Sequence, residues 1–154
     1  MSNGQCGKLS IDGYVFQVKD CGSTRLYIFD NDDDIDEERD VITKTISMDV
    51  CFEKGQFGNE EVSPKLVINE FPTGKADIRD MIGMEFEVKS ADEAYEREDT
   101  MYIFEHEPLI NYKLNIVDIE TDLMHVKISG TAVTDGYSTT VKTAEFEGEF
   151  RLHI

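Results

Sequence analysis

Apolar and polar residues alternate most regularly in the second half of the chain. Phe146, Gly148, Phe150, Leu152 and Ile154 fall on one side of an extended segment. Thr143, Glu145, Glu147, Glu149, Arg151 and His153 fall on the other. A period of two over that length describes a strand with one face in a core and one in water. Upstream, Met124, Val126, Ile128 and Ala132 alternate with His125, Lys127, Ser129 and Thr131. Thr134-Asp135-Gly136-Tyr137 joins the two segments, and Asp-Gly favours a tight hairpin turn. Aligning the inward faces sets Lys127 across from Glu145 or a nearby glutamate, a favourable pair. Tyr112, Leu114 and Ile116 mark a strand over 110–119, with Glu120-Thr121-Asp122 as the following turn. Residues 100–107 read as one strand with Tyr102 and Phe104 on one face, stopped at Pro108. Met84, Phe86 and Val88 alternate with Glu85, Glu87 and Lys89. Short turns connect these segments, which predicts an antiparallel meander.

The first half is also β. Leu9 and Ile11 lead through Asp12-Gly13 into 14–18, a second Asp-Gly hairpin. Cys21-Gly22-Ser23 turns into a strand over 24–29. Ile42, Ile46, Met48, Val50 and Phe52 define one face of a longer strand, and 65–71 makes a shorter one ended by Pro72. Helix signals are sparse. Residues 76–82, closed by Gly83, allow about two turns. Ser90-Ala91-Asp92-Glu93 has capping-box spacing ahead of a short polar segment. Gly55 to Pro64 reads as a neutral loop between two sheets. The expected fold is all-β: an antiparallel β-sandwich, with a closed β-barrel of about ten strands as the alternative, and at most one or two short helices. No repeat or linker divides the chain, so 1–154 reads as a single β domain.

Charge changes the functional picture more than the fold. The chain has 33 Asp plus Glu against 15 Lys plus Arg, a net charge of -18. Such a chain repels nucleic acid and anionic lipid, so neither is an expected partner; basic proteins and cations are. No apolar run approaches the roughly 18 residues of a membrane span. The start of the chain lacks the basic and apolar regions of a signal peptide. Three cysteines, Cys6, Cys21 and Cys51, without metal-ligand spacing suit a reducing compartment. The expected location is therefore cytoplasmic, with a Cys6–Cys21 pairing left open.

Two acidic groups stand out. The first runs from Asp30 to Asp40 and reads as a loop between strands. It includes Asp32, Asp33, Asp34, Asp36, Glu37 and Glu38. So many carboxylates in one place must be solvated, paired or bound to a cation. Calcium would take Asp30, Asp32, Asp34 and Asp36, but an EF-hand does not fit: Ile35 stands where Gly belongs and Val41 where the bidentate Glu belongs. No other cofactor is implied. The second group is the comb Glu145, Glu147 and Glu149, which Glu85 and Glu87 would extend if their strand is adjacent. Catalytic motifs are missing: there is no HExxH, paired CxxC, GxSxG elbow or phosphate loop. His106, His125 and His153 lack ligand spacing. The few polar residues on apolar faces, Lys44 and Asp118, sit near strand ends.

These features favour a non-enzymatic binding module that engages a basic protein, as an inhibitor or immunity-type protein would. The acidic run would steer the partner, the comb would add secondary contacts, and Tyr137 or Phe57 would anchor it. The alternative is a sandwich or barrel that binds calcium or a small ligand, with Tyr102, Phe104, Tyr112, Phe146 and Phe150 lining a cavity. An enzyme whose site is assembled from distant strands would leave no local motif.

Overall fold

The structure, a computed structural model, describes residues 4–36, 41–135 and 141–154, with the side chains of 31–36 and 41 left out. The strands are β1 (Cys6–Ile11), β2 (Tyr14–Gln17), β3 (Arg25–Asp36), β4 (Val41–Cys51), β5 (Gly55–Phe57), β6 (Glu60–Val62), β7 (Lys65–Pro72), β8 (Glu85–Val88), β9 (Thr100–Tyr102), β10 (His106–Pro108), β11 (Asn111–Glu120), β12 (Leu123–Asp135) and β13 (Lys142–His153). One α-helix, α1, spans Ala91–Arg97, and a 3-10 turn spans Ile78–Met81. No helix among the described residues is long and apolar enough to cross a membrane.

The strands form two antiparallel sheets, ordered β2-β1-β13-β12-β11-β8 and β10-β9-β7-β4-β3, plus a small β5-β6 ribbon. The fold is all-β and a sandwich, not a closed barrel. The expected meander is present only in part: β11, β12 and β13 are consecutive neighbours, with Ile128 opposite both Leu114 and Gly148, but β9 and β10 join the other sheet and β8 pairs directly with β11. The first hairpin turns at Asp12 (φ 49) and Gly13 (φ 83), the paired positive angles that a two-residue turn requires. Thr121 (φ 51) makes the turn between β11 and β12.

The core lies between the sheets. Leu9, Ile11, Phe146, Phe150, Val126 and Leu114 point inward from one; Leu26, Met48, Val50, Leu66 and Ile68 point inward from the other. Aromatic rings meet across the interface. Phe52 packs on Phe150 with centroids 5.6 Å apart, and Phe71 stacks on Phe86 at 4.6 Å. The sheets are also stitched through backbone, by a Val18–Phe52 bridge and by the Lys19 amide donating to the Cys51 carbonyl at 2.8 Å. Ser90 caps α1 as its spacing suggests, its hydroxyl accepting from the Glu93 amide at 3.2 Å.

Four segments differ from the sequence pattern. Residues 100–107 form not one strand but the hairpin β9–β10, in which Met101 and Ile103 are buried while Phe104 is exposed. Both parities of that segment are apolar, so alternation alone chooses no inward face. Residues 55–64 are not a plain loop; they carry the β5–β6 ribbon. Ile42 drops out of the core row of β4, with Thr43 and Thr45 buried instead. The buried parity changes between Thr45 and Ile46, beside a register shift against β7. Finally, the acidic run does not begin a loop at Asp30, because β3 continues through Asp36, with Ile35 opposite Ile42 and Asp36 opposite Val41.

Candidate functional site

The acidic run is carried by β3, the last strand of the five-stranded sheet. Regular pairing with β4 holds from Arg25 to Asp30, and the register shifts before Ile35. The Asp30 carboxylate accepts from the Lys44 ammonium at 2.7 Å. Lys44, expected to face the core, instead turns its charge to that partner. Asp32, Asp33, Asp34 and Asp36 lie on the strand without described side chains, and Glu37 and Glu38 lie outside the described residues, as does Tyr137. Just before the run, Leu26 points into the core and Tyr27 and Phe29 point out, 40% and 38% exposed. The Arg25 guanidinium lies 5.8 Å from the Tyr27 ring centroid. This aromatic pair went unmarked in the sequence, where a strand of unknown inward face hides it. Phe57 is no free anchor: it packs between Tyr14 at 5.1 Å and Phe104 at 5.9 Å.

Glu145, Glu147 and Glu149 stand on the outer face of the six-stranded sheet, as their alternation requires. Their surroundings differ. Glu149 lies between Lys8 and Lys127 in register, and its carboxylate meets His125 Nε2 at 2.7 Å. That hydrogen bond holds the Glu149 carboxyl below the usual range, with Lys127, His125 and Arg151 charges adding to the effect. Glu147 lies between Ser10 and Ser129 instead, and Glu145 opposite Thr131. Among the described residues the comb is therefore neutralised at one end and bare at the other. Glu85 and Glu87 do not extend it. β12 and β11 intervene, and Lys113 sits 3.4 Å from Glu85 and 3.7 Å from Glu87. The outer face is concave near the bare end, where an open trough of about 910 Å³ is lined by Ser10, Lys113, Ser129, Thr131, Glu145 and Glu147 among others. The acidic run and the comb stand on different sheets.

The aromatics proposed to line a cavity divide. Tyr112, Phe146 and Phe150 are buried in the core, whereas Tyr102 is half-buried, with its ring 4.9 Å from His106. Tyr112 belongs to a buried polar cluster that sequence reasoning missed. Asp99 is fully buried at the end of α1. One of its oxygens accepts from the Asn69 amide at 2.7 Å; the other accepts from Arg97 Nε at 2.7 Å and from the Tyr112 hydroxyl. Arg97 continues to the Asn69 and Glu70 carbonyls at 2.8 and 3.1 Å and lies over the Phe86 ring. Burial, with the Asp99 hydrogen bond adding to it, drives the Tyr112 phenol far above its usual range. Each of these donors has an acceptor, so the cluster fastens α1 and β7 to β11 rather than presenting reactive atoms.

The remaining titratable groups are dispersed. His153 pairs with Asp122 at 3.4 Å. Glu107 is raised above the usual carboxylate range by its hydrogen bond with Glu105. Among the described residues no group of three His, Cys, Asp or Glu stands close enough to hold a metal ion. Compared with known proteins, the chain matches no family model, no curated protein and no solved structure.

Proposed function

We propose that this protein is an acidic binding module of the cytoplasm that engages a basic protein partner along β3, in the manner of an inhibitor or immunity-type protein. The observation that supports this reading is the composition of one sheet edge. β3 ends the five-stranded sheet, turns Tyr27 and Phe29 outward, and runs directly into the acidic stretch. Edge strands offer unpaired backbone groups to another chain. Aromatic side chains supply anchoring area, and clustered carboxylates accelerate encounter with a cationic surface. Asp32, Asp33, Asp34, Asp36, Glu37 and Glu38 are the steering charges, with Glu145, Glu147 and Glu149 as secondary contacts beside the trough.

The test compares three proteins as bait in the native extract: wild type, Asp32→Asn/Asp33→Asn/Asp34→Asn/Asp36→Asn, and Tyr27→Ser/Phe29→Ser. A basic protein held by the wild type and lost from both variants is the expected result. Its association rate, measured with purified components, should fall about tenfold in the Asn variant at low ionic strength. Equal capture and equal rates in all three would reject the edge. Calcium is the competing occupant of Asp30, Asp32, Asp34 and Asp36. It would compete with Lys44 for the Asp30 carboxylate, and it would show as a rise in Tm with calcium that the Asn variant lacks.

A further inference from the structure

We infer that Cys21 and Cys51 form a thiol pair that closes into an intramolecular disulfide by exchange with a low-molecular-weight disulfide such as oxidised glutathione. All three cysteines are free thiols here. The turn over 19–24 has both feet on the peptide groups of Cys51. The Lys19 amide donates to the Cys51 carbonyl at 2.8 Å, and the Thr24 hydroxyl oxygen accepts from the Cys51 amide at 3.0 Å. Between those feet the turn is tight: the Cys21 amide donates to the Lys19 carbonyl at 3.0 Å, and the Thr24 amide to the Cys21 carbonyl at 3.1 Å. Cys21 is thus held in a small arch whose two ends rest on Cys51. The Cys51 sulfur reaches into the arch and lies 3.6 Å from the Ser23 carbonyl oxygen. Neither cysteine is buried. Cys6 lies on the outer face of the six-stranded sheet opposite Arg151, while its neighbour Gln5 reaches the Cys21 carbonyl at 3.5 Å.

The environment also sets the order of reaction. The Ser23 amide hydrogen-bonds the Cys21 sulfur and holds that thiol below its usual range; desolvation opposes this, and the Thr24 amide and the Lys19 charge reinforce it. Cys21 is the attacking thiol. Its thiolate attacks one sulfur of oxidised glutathione, forming a mixed disulfide and expelling a glutathione thiolate that takes up the proton Cys21 released. Cys51 then loses its proton to solvent and attacks the Cys21 sulfur, expelling the second glutathione. Two protein thiols are oxidised and one glutathione disulfide is reduced to two thiols. The new bond ties off the base of the β3–β4 hairpin.

The experiment treats the full chain with oxidised glutathione near neutral pH and maps the cysteines by mass spectrometry without reduction. The expected product carries a Cys21–Cys51 cross-link, with loss of both free thiols together and a higher Tm than the reduced chain. In Cys51→Ser the reaction should stop at a glutathione adduct on Cys21. Separate adducts on Cys21 and Cys51, a Cys6–Cys21 cross-link, or an unreacted Cys21 while Cys6 is modified would each overturn the inference.

Discussion

The Asp99 carboxylate binds groups from three elements at once, and its position shows what one residue can cost. Replacing it with Ala strands the Arg97 guanidinium, only 19% exposed, and frees the Tyr112 hydroxyl and the Asn69 amide. Asp99→Ala should lose about 3–5 kcal/mol of stability, as breaking a buried pair does. Tyr112→Phe, which leaves the Arg97 bond intact, should lose about 1–2 kcal/mol. Denaturant unfolding reads both, and equal losses would contradict the hierarchy. Nothing local in the sequence marks this cluster. Asp99 is one carboxylate among 33, and its partners Asn69 and Tyr112 are remote along the chain. Glu107 offers a pH test. Its folded pKa is raised by Glu105, so the protonated form is favoured in the fold. The associated stability is present below the ordinary carboxylate range and lost as pH rises through the raised value. Glu105→Gln should therefore raise Tm at neutral pH and change it little in acid; a uniform shift across pH would argue against the carboxylate pair.

At the scale of elements, periodicity was informative where one face is apolar and the other charged. β11, β12 and β13 satisfy that condition and stand where alternation sets them, with Lys127 opposite Glu149. It failed where both faces are apolar, as in the β9–β10 hairpin, and where charge suggested a loop, as at Asp30 to Asp36. In β3 the backbone pairing with β4 outlasts the change in side-chain character, which a residue-by-residue polarity count does not register. The comb was legible, but its neutralisation by Lys8, Lys127 and His125 required the register of three strands. Close approach between strands also limits substitution. A Cβ at Gly130 would overlap the Asn111 carbonyl oxygen and crowd Tyr112. Gly130→Ala should cost about 1–3 kcal/mol by forcing β11 and β12 apart, measured by thermal or chemical unfolding. An unchanged stability would mean that the pair relaxes freely.

The whole molecule carries a charge of -18, and self-repulsion on that scale opposes compaction. Monovalent salt should raise Tm between low and physiological ionic strength, where screening lengths fall to about 8 Å. A flat or falling Tm would mean that local ion pairs such as Lys44–Asp30 outweigh the net field. The topology has a further consequence for synthesis. β1 is paired along its length with β13, Cys6 opposite Arg151 and Ile11 opposite Phe146. A ribosome emits β1 well before β13, and the chain between them takes on the order of ten seconds at ordinary elongation rates. Throughout that interval the backbone edge of β1 that β13 takes is unclaimed. The nascent chain thus depends on β13 arriving before another chain or a chaperone occupies its place.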